Sequence, residues 1–165
     1  MQIRPATIED AQTIAEIVIE SDDTFATFAP PDWERPSFES ELAKARGLFD
    51  SSDRWVRVAV VDAEIAGYAA FVAAALTRMP TADPGLAHLG RLFVRRAHWG
   101  TGVATALHRE AIAAATAEGF SAIRLFTPSL QARARRFYER EGWCAVAEMP
   151  ESPLGLPLIE YRRDL

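Results

Sequence analysis

The hydrophobic pattern along the chain predicts an α/β (α+β) fold, one mixed sheet of about seven strands with about four helices on its two faces. Three observations carry that prediction. Segments of period two form hairpins toward both ends of the chain, and strand–helix–strand units occupy its middle. No linker is long enough to divide the 165 residues. One domain over residues 1–165 is therefore expected.

The elements follow in order. Ile3-Arg4-Pro5 is a short extended start, because proline turns the preceding residue away from the helical region. Thr7 caps a first helix, with Asp10 three residues on as capping-box partner, and Ala11, Ile14, Ala15, Val18 and Ile19 keep helical spacing. Phe25 to Pro36 fits neither period and reads as a loop. Ser37 opens a second helix whose inward face is Phe38, Leu42, Ala45 and Phe49. Trp55 to Val61 alternates as a strand, Asp62-Ala63-Glu64 turns it, and Ile65 to Ala74 returns. Thr77 to Gly85 is a loop, and His88 to Val94 is a central strand. An alanine-rich helix covers Val103 to Ala117, and a strand covers Ser121 to Thr127. Leu130 to Glu141 is a helix that Gly142 terminates with a left-handed cap. Trp143 to Met149 and Leu158 to Arg162 are the last two strands.

Composition narrows the class. With 49% apolar and 25% charged residues the chain can bury a sizeable core. A net charge of −5 argues against a nucleic-acid surface. The single cysteine, Cys144, excludes an intrachain disulfide and suits a reducing cytoplasm, the expected location. Met1 to Pro5 lacks the apolar run of a signal peptide, and Ile65 to Leu76 is too short to span a bilayer. No membrane or nucleic-acid partner is expected. No His, Cys, Asp or Glu set has metal-ligand spacing, so no metal is expected either.

The most informative segment runs from Leu92 to Leu107. A strand ends, a turn carries Gly100 and Gly102, and a strong helix begins at once. Such a turn aims unpaired N–H groups and the positive end of a helix dipole at one point, where a phosphate satisfies both. A Walker loop would need a lysine after its glycine, and a dinucleotide fingerprint would need Gly or Ala at Thr105. From these residues alone, the glycines either cradle a phosphate or merely tighten a turn.

Two blocks decide between those readings. Trp99-Gly100-Thr101-Gly102-Val103-Ala104 is similar to the Gln/Arg-x-x-Gly-x-Gly/Ala motif of the GNAT superfamily of N-acetyltransferases, with Trp99 replacing the usual first residue. The stretch Gln131 to Trp143 resembles that family's Asn-x-x-Ala-x-x-Phe-Tyr-x-x-x-Gly-Phe block, with Gln131 in place of Asn. The opening Ile3 to Thr7 and the hairpin around Ile65 to Ala69 fit as well, so the resemblance spans nearly the whole chain.

The resemblance implies a mostly antiparallel sheet splayed at its middle, with acetyl-CoA as acyl donor lying in the splay. Backbone groups of Leu92 and Val94 would hold the thioester and pantetheine arm, Leu92 N–H acting on the acetyl carbonyl. Gly100, Thr101, Gly102, Val103, Ala104 and Thr105 would hold the pyrophosphate, and Gln131 the arm. Tyr138 would protonate the departing thiolate, or else it only packs beside Phe137. His88 would act as base toward the amine, or else it only lines the cleft. His98 and His108 read as surface residues. Cys144 reads as a buried structural thiol and not as an acyl-cysteine nucleophile. Arg133, Arg135, Arg136 and Arg140 form a solvated face from which one could reach the 3′-phosphate. The acceptor would be a small-molecule or peptide amine. It would meet the loop between the last two strands and the loop bearing Asp22, Asp23, Phe25, Phe28, Asp32, Trp33 and Glu34, whose acidic character suits a cation. A non-catalytic acyl-CoA-binding module stands as the alternative class. A homodimer is compatible with all of this.

Overall fold

Seven strands form one sheet in the order β1-β2-β3-β4-β5-β7-β6, in a computed structural model that describes residues 1–152 and 155–165. The strands are β1 (Gln2–Pro5), β2 (Trp55–Val61), β3 (Glu64–Ala73), β4 (Leu86–Val94), β5 (Ala122–Pro128), β6 (Cys144–Met149) and β7 (Leu158–Asp164). The helices are α1 (Ala11–Asp22), α2 (Phe38–Arg46), α3 (Val103–Ala117) and α4 (Ala132–Arg140). Every neighbouring pair is antiparallel except β4 and β5. No helix among the described residues is long and apolar enough to cross a membrane.

The Thr7–Asp10 pairing that the sequence predicts is present, but Asp10 and not Thr7 holds the cap position of α1. Asp10 is buried and accepts from the Thr7 N–H at 2.8 Å, and Arg4 clamps the same carboxylate through two bonds of 2.8 and 2.9 Å. The Arg4 guanidinium holds the Asp10 carboxyl below its ordinary pKa. A short 3₁₀ turn, Ile8–Asp10, precedes α1. At the other end of the chain, Gly142 has φ +85°, and its N–H donates to the Glu139 carbonyl. That is the left-handed stop predicted for α4.

Two cores flank the sheet. On one face Val103, Leu107, Ala111 and Ala115 of α3 pack on Ala59, Ala69, Phe71, Ala87 and Leu89. Spacing of four along α3 places these residues in one stripe, and the alanines let helix and sheet approach closely. On the other face Ile14, Ile17 and Val18 of α1 meet Ala45, Val58 and Tyr68.

Strand β4 changes phase between its halves. Arg91 pairs with Ala70 and Leu89 pairs with Phe71, so Gly90 is an extra residue, a β-bulge. Before it, odd-numbered Ala87 and Leu89 face α3; after it, even-numbered Leu92 and Val94 do. His88 therefore points to the face opposite α3.

Two residues are corrected by the structure. His108, read as a surface residue, is 1% exposed, because it borders the Leu107 stripe and its Nε2 accepts the Trp143 indole N–H at 2.9 Å. Cys144, read as a buried thiol, is exposed, because β6 is an edge strand that pairs only with β7.

Burial has a consequence in acid. His108 is lowered from 6.5 to about 4, chiefly by desolvation. Between those values the unfolded chain takes up the proton more readily, so stability is complete above pH 6.5 and falls away toward pH 4. His88, also lowered to about 4, acts in the same direction, while Asp22, raised to about 6, opposes it. The His108 share amounts to up to about 3 kcal/mol. His108→Gln should therefore show a flatter fall of Tm between pH 6.5 and 4 than the wild type, whatever its Tm at neutral pH. Parallel slopes in thermal melts would refute the assignment.

Candidate functional site

The sheet opens at its centre. β4 and β5 pair only at Leu86 with Ala122, Ala87 with Ile123 and His88 with Arg124, and no pair follows. Beyond that point β4 keeps β3 on one side only. The Arg95 N–H donates to the Ala66 carbonyl at 2.8 Å, which fixes the alternation of the segment. Phe93 and Arg91 turn their backbone groups to β3, so the N–H groups of Leu92 and Val94 face the gap. The Val94 carbonyl is already engaged by the Trp99 indole N–H at 2.8 Å. What remains at Leu92 is an unpaired donor and acceptor on an inner strand, a place built for another extended chain.

At the end of β4 the backbone turns into α3. Gly100 has φ +78° and Gly102 has φ +90°, and no heavy atom lies within 4 Å of where a Cβ would stand at either. The N–H groups of Gly102, Val103, Ala104 and Thr105 have no acceptor among the described residues, since the first helical bond is Ala106 N–H to the Gly102 carbonyl at 3.0 Å. Four free donors, a helix dipole and open space over two glycines together make an anion cradle. These residues fit a pyrophosphate.

Aromatic and polar groups of α4 line the α3 side of the gap. Tyr138 packs against the α3 core, with the rings of Phe137, Trp143 and Tyr161 at 5.3, 5.8 and 6.1 Å. Its hydroxyl makes no hydrogen bond among the described residues. Desolvation pushes its pKa well above the ordinary value of 10, so the phenol stays protonated. Gln131 lies just before α4, and its side-chain oxygen accepts from the Thr127 hydroxyl at 3.3 Å. Of the α4 arginines, Arg135 bonds the Tyr161 hydroxyl and the Ser129 carbonyl, and Arg140 pairs with Glu141. Arg133 instead stacks on Trp99.

His88 borders the opposite face. Its ring lies 5.6 Å from the Phe126 ring, and its Nδ1 is buried without a partner. Burial, then the charges of Arg124 and Arg91, lower its pKa to about 4. At neutral pH it is an uncharged imidazole. Tyr138 and His88 thus lie on opposite faces of the sheet, Tyr138 a protonated phenol on the α3 side and His88 an uncharged imidazole at the last β4–β5 pair.

The acidic loop separates on inspection. Asp23 is ion-paired with Arg35 at 2.8 Å, and Arg35 also bonds the Ile19 carbonyl. Asp22 is buried, with Oδ2 unpartnered and a pKa raised to about 6 by desolvation and by Glu41. Glu41, which the sequence did not single out, is buried against Lys44 at 2.5 Å and Arg91 at 4.0 Å. The β6–β7 loop includes residues 153–154, which lie outside the described residues. Gly90 and the Trp99–Arg133 stack also went unread. A lone glycine inside a strand pattern was the only local sign of the bulge.

Residues 18–143 match the model of the acetyltransferase (GNAT) family. Solved structures similar to the chain include an acetyltransferase from Thermus thermophilus, 21% identical, with a TM-score of 0.75 over 99% of this chain and 96% of that one. The PaiA N-acetyltransferase from Thermoplasma acidophilum, solved in complex with coenzyme A, is 20% identical with a TM-score of 0.71 over 96% of both chains. A ribosomal-protein-alanine N-acetyltransferase from Brucella melitensis is 18% identical with a TM-score of 0.75 over the full length of both. No curated protein matches the chain in sequence.

The geometry around His88 yields a direct check. Its imidazole should titrate near pH 4 in an NMR pH series and stay neutral through pH 7. A midpoint above pH 6 would mean that the ring is solvated and the face beside it open to water.

Proposed function

The chain belongs to the acetyltransferase (GNAT) family, and from that premise we propose that it transfers an acetyl group from acetyl-CoA to a primary amine by direct attack in a ternary complex. The observation that carries this reading is the gap between β4 and β5, which ends at the free N–H groups of Gly102 to Thr105. A pantetheine arm has the length and amide groups to pair with a strand edge, and a pyrophosphate suits the cradle at its end.

The donor supplies an activated thioester; the chain's own groups do the rest. Leu92 N–H holds the acetyl carbonyl and stabilises the negative charge that gathers on its oxygen as the amine adds. Val94 N–H and the Gln131 amide align the arm. His88, uncharged at neutral pH, takes the proton that the attacking nitrogen sheds. Tyr138 gives its hydroxyl proton to the sulfur as the C–S bond breaks, so that the free thiol leaves and the amide remains. Because Tyr138 and His88 lie on opposite faces of the sheet, donor and acceptor can be present together without an acyl-enzyme stage. Exposed Cys144 on the edge strand takes no part.

A thiol-release assay with acetyl-CoA and a panel of amines tests the reaction. Amine-dependent release is expected; tight binding of CoA with no release for any amine would turn the reading to a binding module. Gly102→Asp puts bulk and negative charge into the cradle and should weaken CoA binding at least about 100-fold in a folded protein. Unchanged affinity by calorimetry would rule the cradle out.

Tyr138→Phe removes the acid and leaves the ring packing in place. It should lower kcat by about 10²-fold with CoA affinity unchanged. An unaltered kcat, with chemistry rate-limiting, would remove Tyr138 from the mechanism.

A further inference from the structure

One stacked pair joins the turn after β4 to the start of α4. Arg133, in the first turn of α4, places its guanidinium carbon 3.3 Å from the ring centroid of Trp99, which stands just before the cradle. Trp99 is itself fixed, because its indole N–H is bonded to the Val94 carbonyl. Arg96 lies beside the same ring at 5.6 Å. Neighbouring Arg95 is spent on Glu16 and Glu20 at 3.2 and 3.3 Å. Arg133 has no carboxylate partner and no hydrogen bond among the described residues. Arg133 is exposed as a residue, and local desolvation lowers the pKa of its guanidinium.

Stacking uses the face of a guanidinium and leaves its five N–H donors free in the plane. A cation held in this way has surrendered its side-chain freedom but none of its hydrogen-bonding capacity. It stands on the ring of Trp99, three residues before Gly102, the first of the four unpaired backbone donors. Resting on the acetyl-CoA reading, we propose that Trp99 is a positioning residue that presents Arg133 as a clamp on a phosphate of the bound donor. The indole keeps the guanidinium at this turn, so its ordering is complete before the ligand arrives. The phosphate gripped is either in the pyrophosphate or at the 3′ position, which share the same chemistry.

Calorimetry with CoA on folded variants separates the possibilities. Arg133→Met should raise the Kd for CoA about tenfold, the size of one charge-assisted hydrogen bond. Trp99→Leu should reproduce most of that loss, while Trp99→Phe, which keeps a ring face, should stay near wild type. The double variant, Arg133→Met with Trp99→Leu, should bind no worse than Arg133→Met alone, because one contact is removed in each case. S-acetylpantetheine, which has no phosphate, should bind wild type and Arg133→Met alike. With 3′-dephospho-CoA, a vanished difference assigns the 3′-phosphate and a persistent tenfold difference assigns the pyrophosphate. CoA affinity within twofold of wild type in Arg133→Met, or losses that multiply in the double variant, would overturn the clamp and leave the acetyl-CoA reading standing. Failure of the wild type to bind CoA would overturn both.

Discussion

The constraint on which this molecule depends is an interrupted hydrogen-bond ladder. Strands inside a sheet normally satisfy both edges, since an orphaned backbone amide away from water is costly. Here β4 and β5 part after His88 and Arg124, and the inner edge of β4 is left with donors and acceptors that no strand meets. The rest of the site follows from that opening. The turn after β4 delivers more free N–H groups at the end of the gap, α4 brings Tyr138 to one side, and β4 itself brings His88 to the other. The proposed transfer uses that opening as the place where an extended amide-bearing arm replaces a strand.

Holding such an opening in shape falls to the side chains around it. The Trp143 indole donates to His108 on α3, while its backbone N–H donates to the Tyr138 carbonyl at 3.0 Å at the end of α4. The helix that carries the cradle is thereby tied to the helix that carries the phenol. Because an indole N–H can only donate, His108 must keep Nε2 unprotonated, so the tie also fixes its tautomer. Desolvation recurs around the site, raising the pKa of Tyr138 and lowering that of His88 to about 4, so that at neutral pH the phenol is protonated and the imidazole uncharged.

Sequence patterns revealed the features whose causes are local. The Thr7–Asp10 start, the glycine stop after α4, the alanine stripe of α3 and the two-glycine turn each rest on residues a few positions apart. Element order and the count of strands followed from period together with proline, glycine and turn signals. Features made by distant residues stayed hidden. His108 sits beside the α3 stripe, and the groups that meet its imidazole, Phe137, Glu141 and Trp143, all lie far along the chain. Cys144 follows a buried tryptophan, and only the strand order reveals that its strand is an edge. Asp22 and Asp23 are adjacent and acidic, but one is buried and the other pairs with Arg35 across the loop. Arg133 is exposed on α4, as a solvated face implies, but its stacking partner Trp99 lies on another element.

The Gly90 bulge has a meaning for the gene as well as for the fold. Up to Leu89, odd-numbered residues of β4 face α3; from Leu92 onward, even-numbered ones do. Substitutions along this strand change one side chain at a time. Loss of the Gly90 codon would leave Leu89, Arg91 and Leu92 in plain alternation opposite Phe71, Ala70 and Ala69, so the bulge would close with each of these side chains on its present face. The one residue of surplus length in β4 is therefore the point at which the strand can shorten without exchanging its faces.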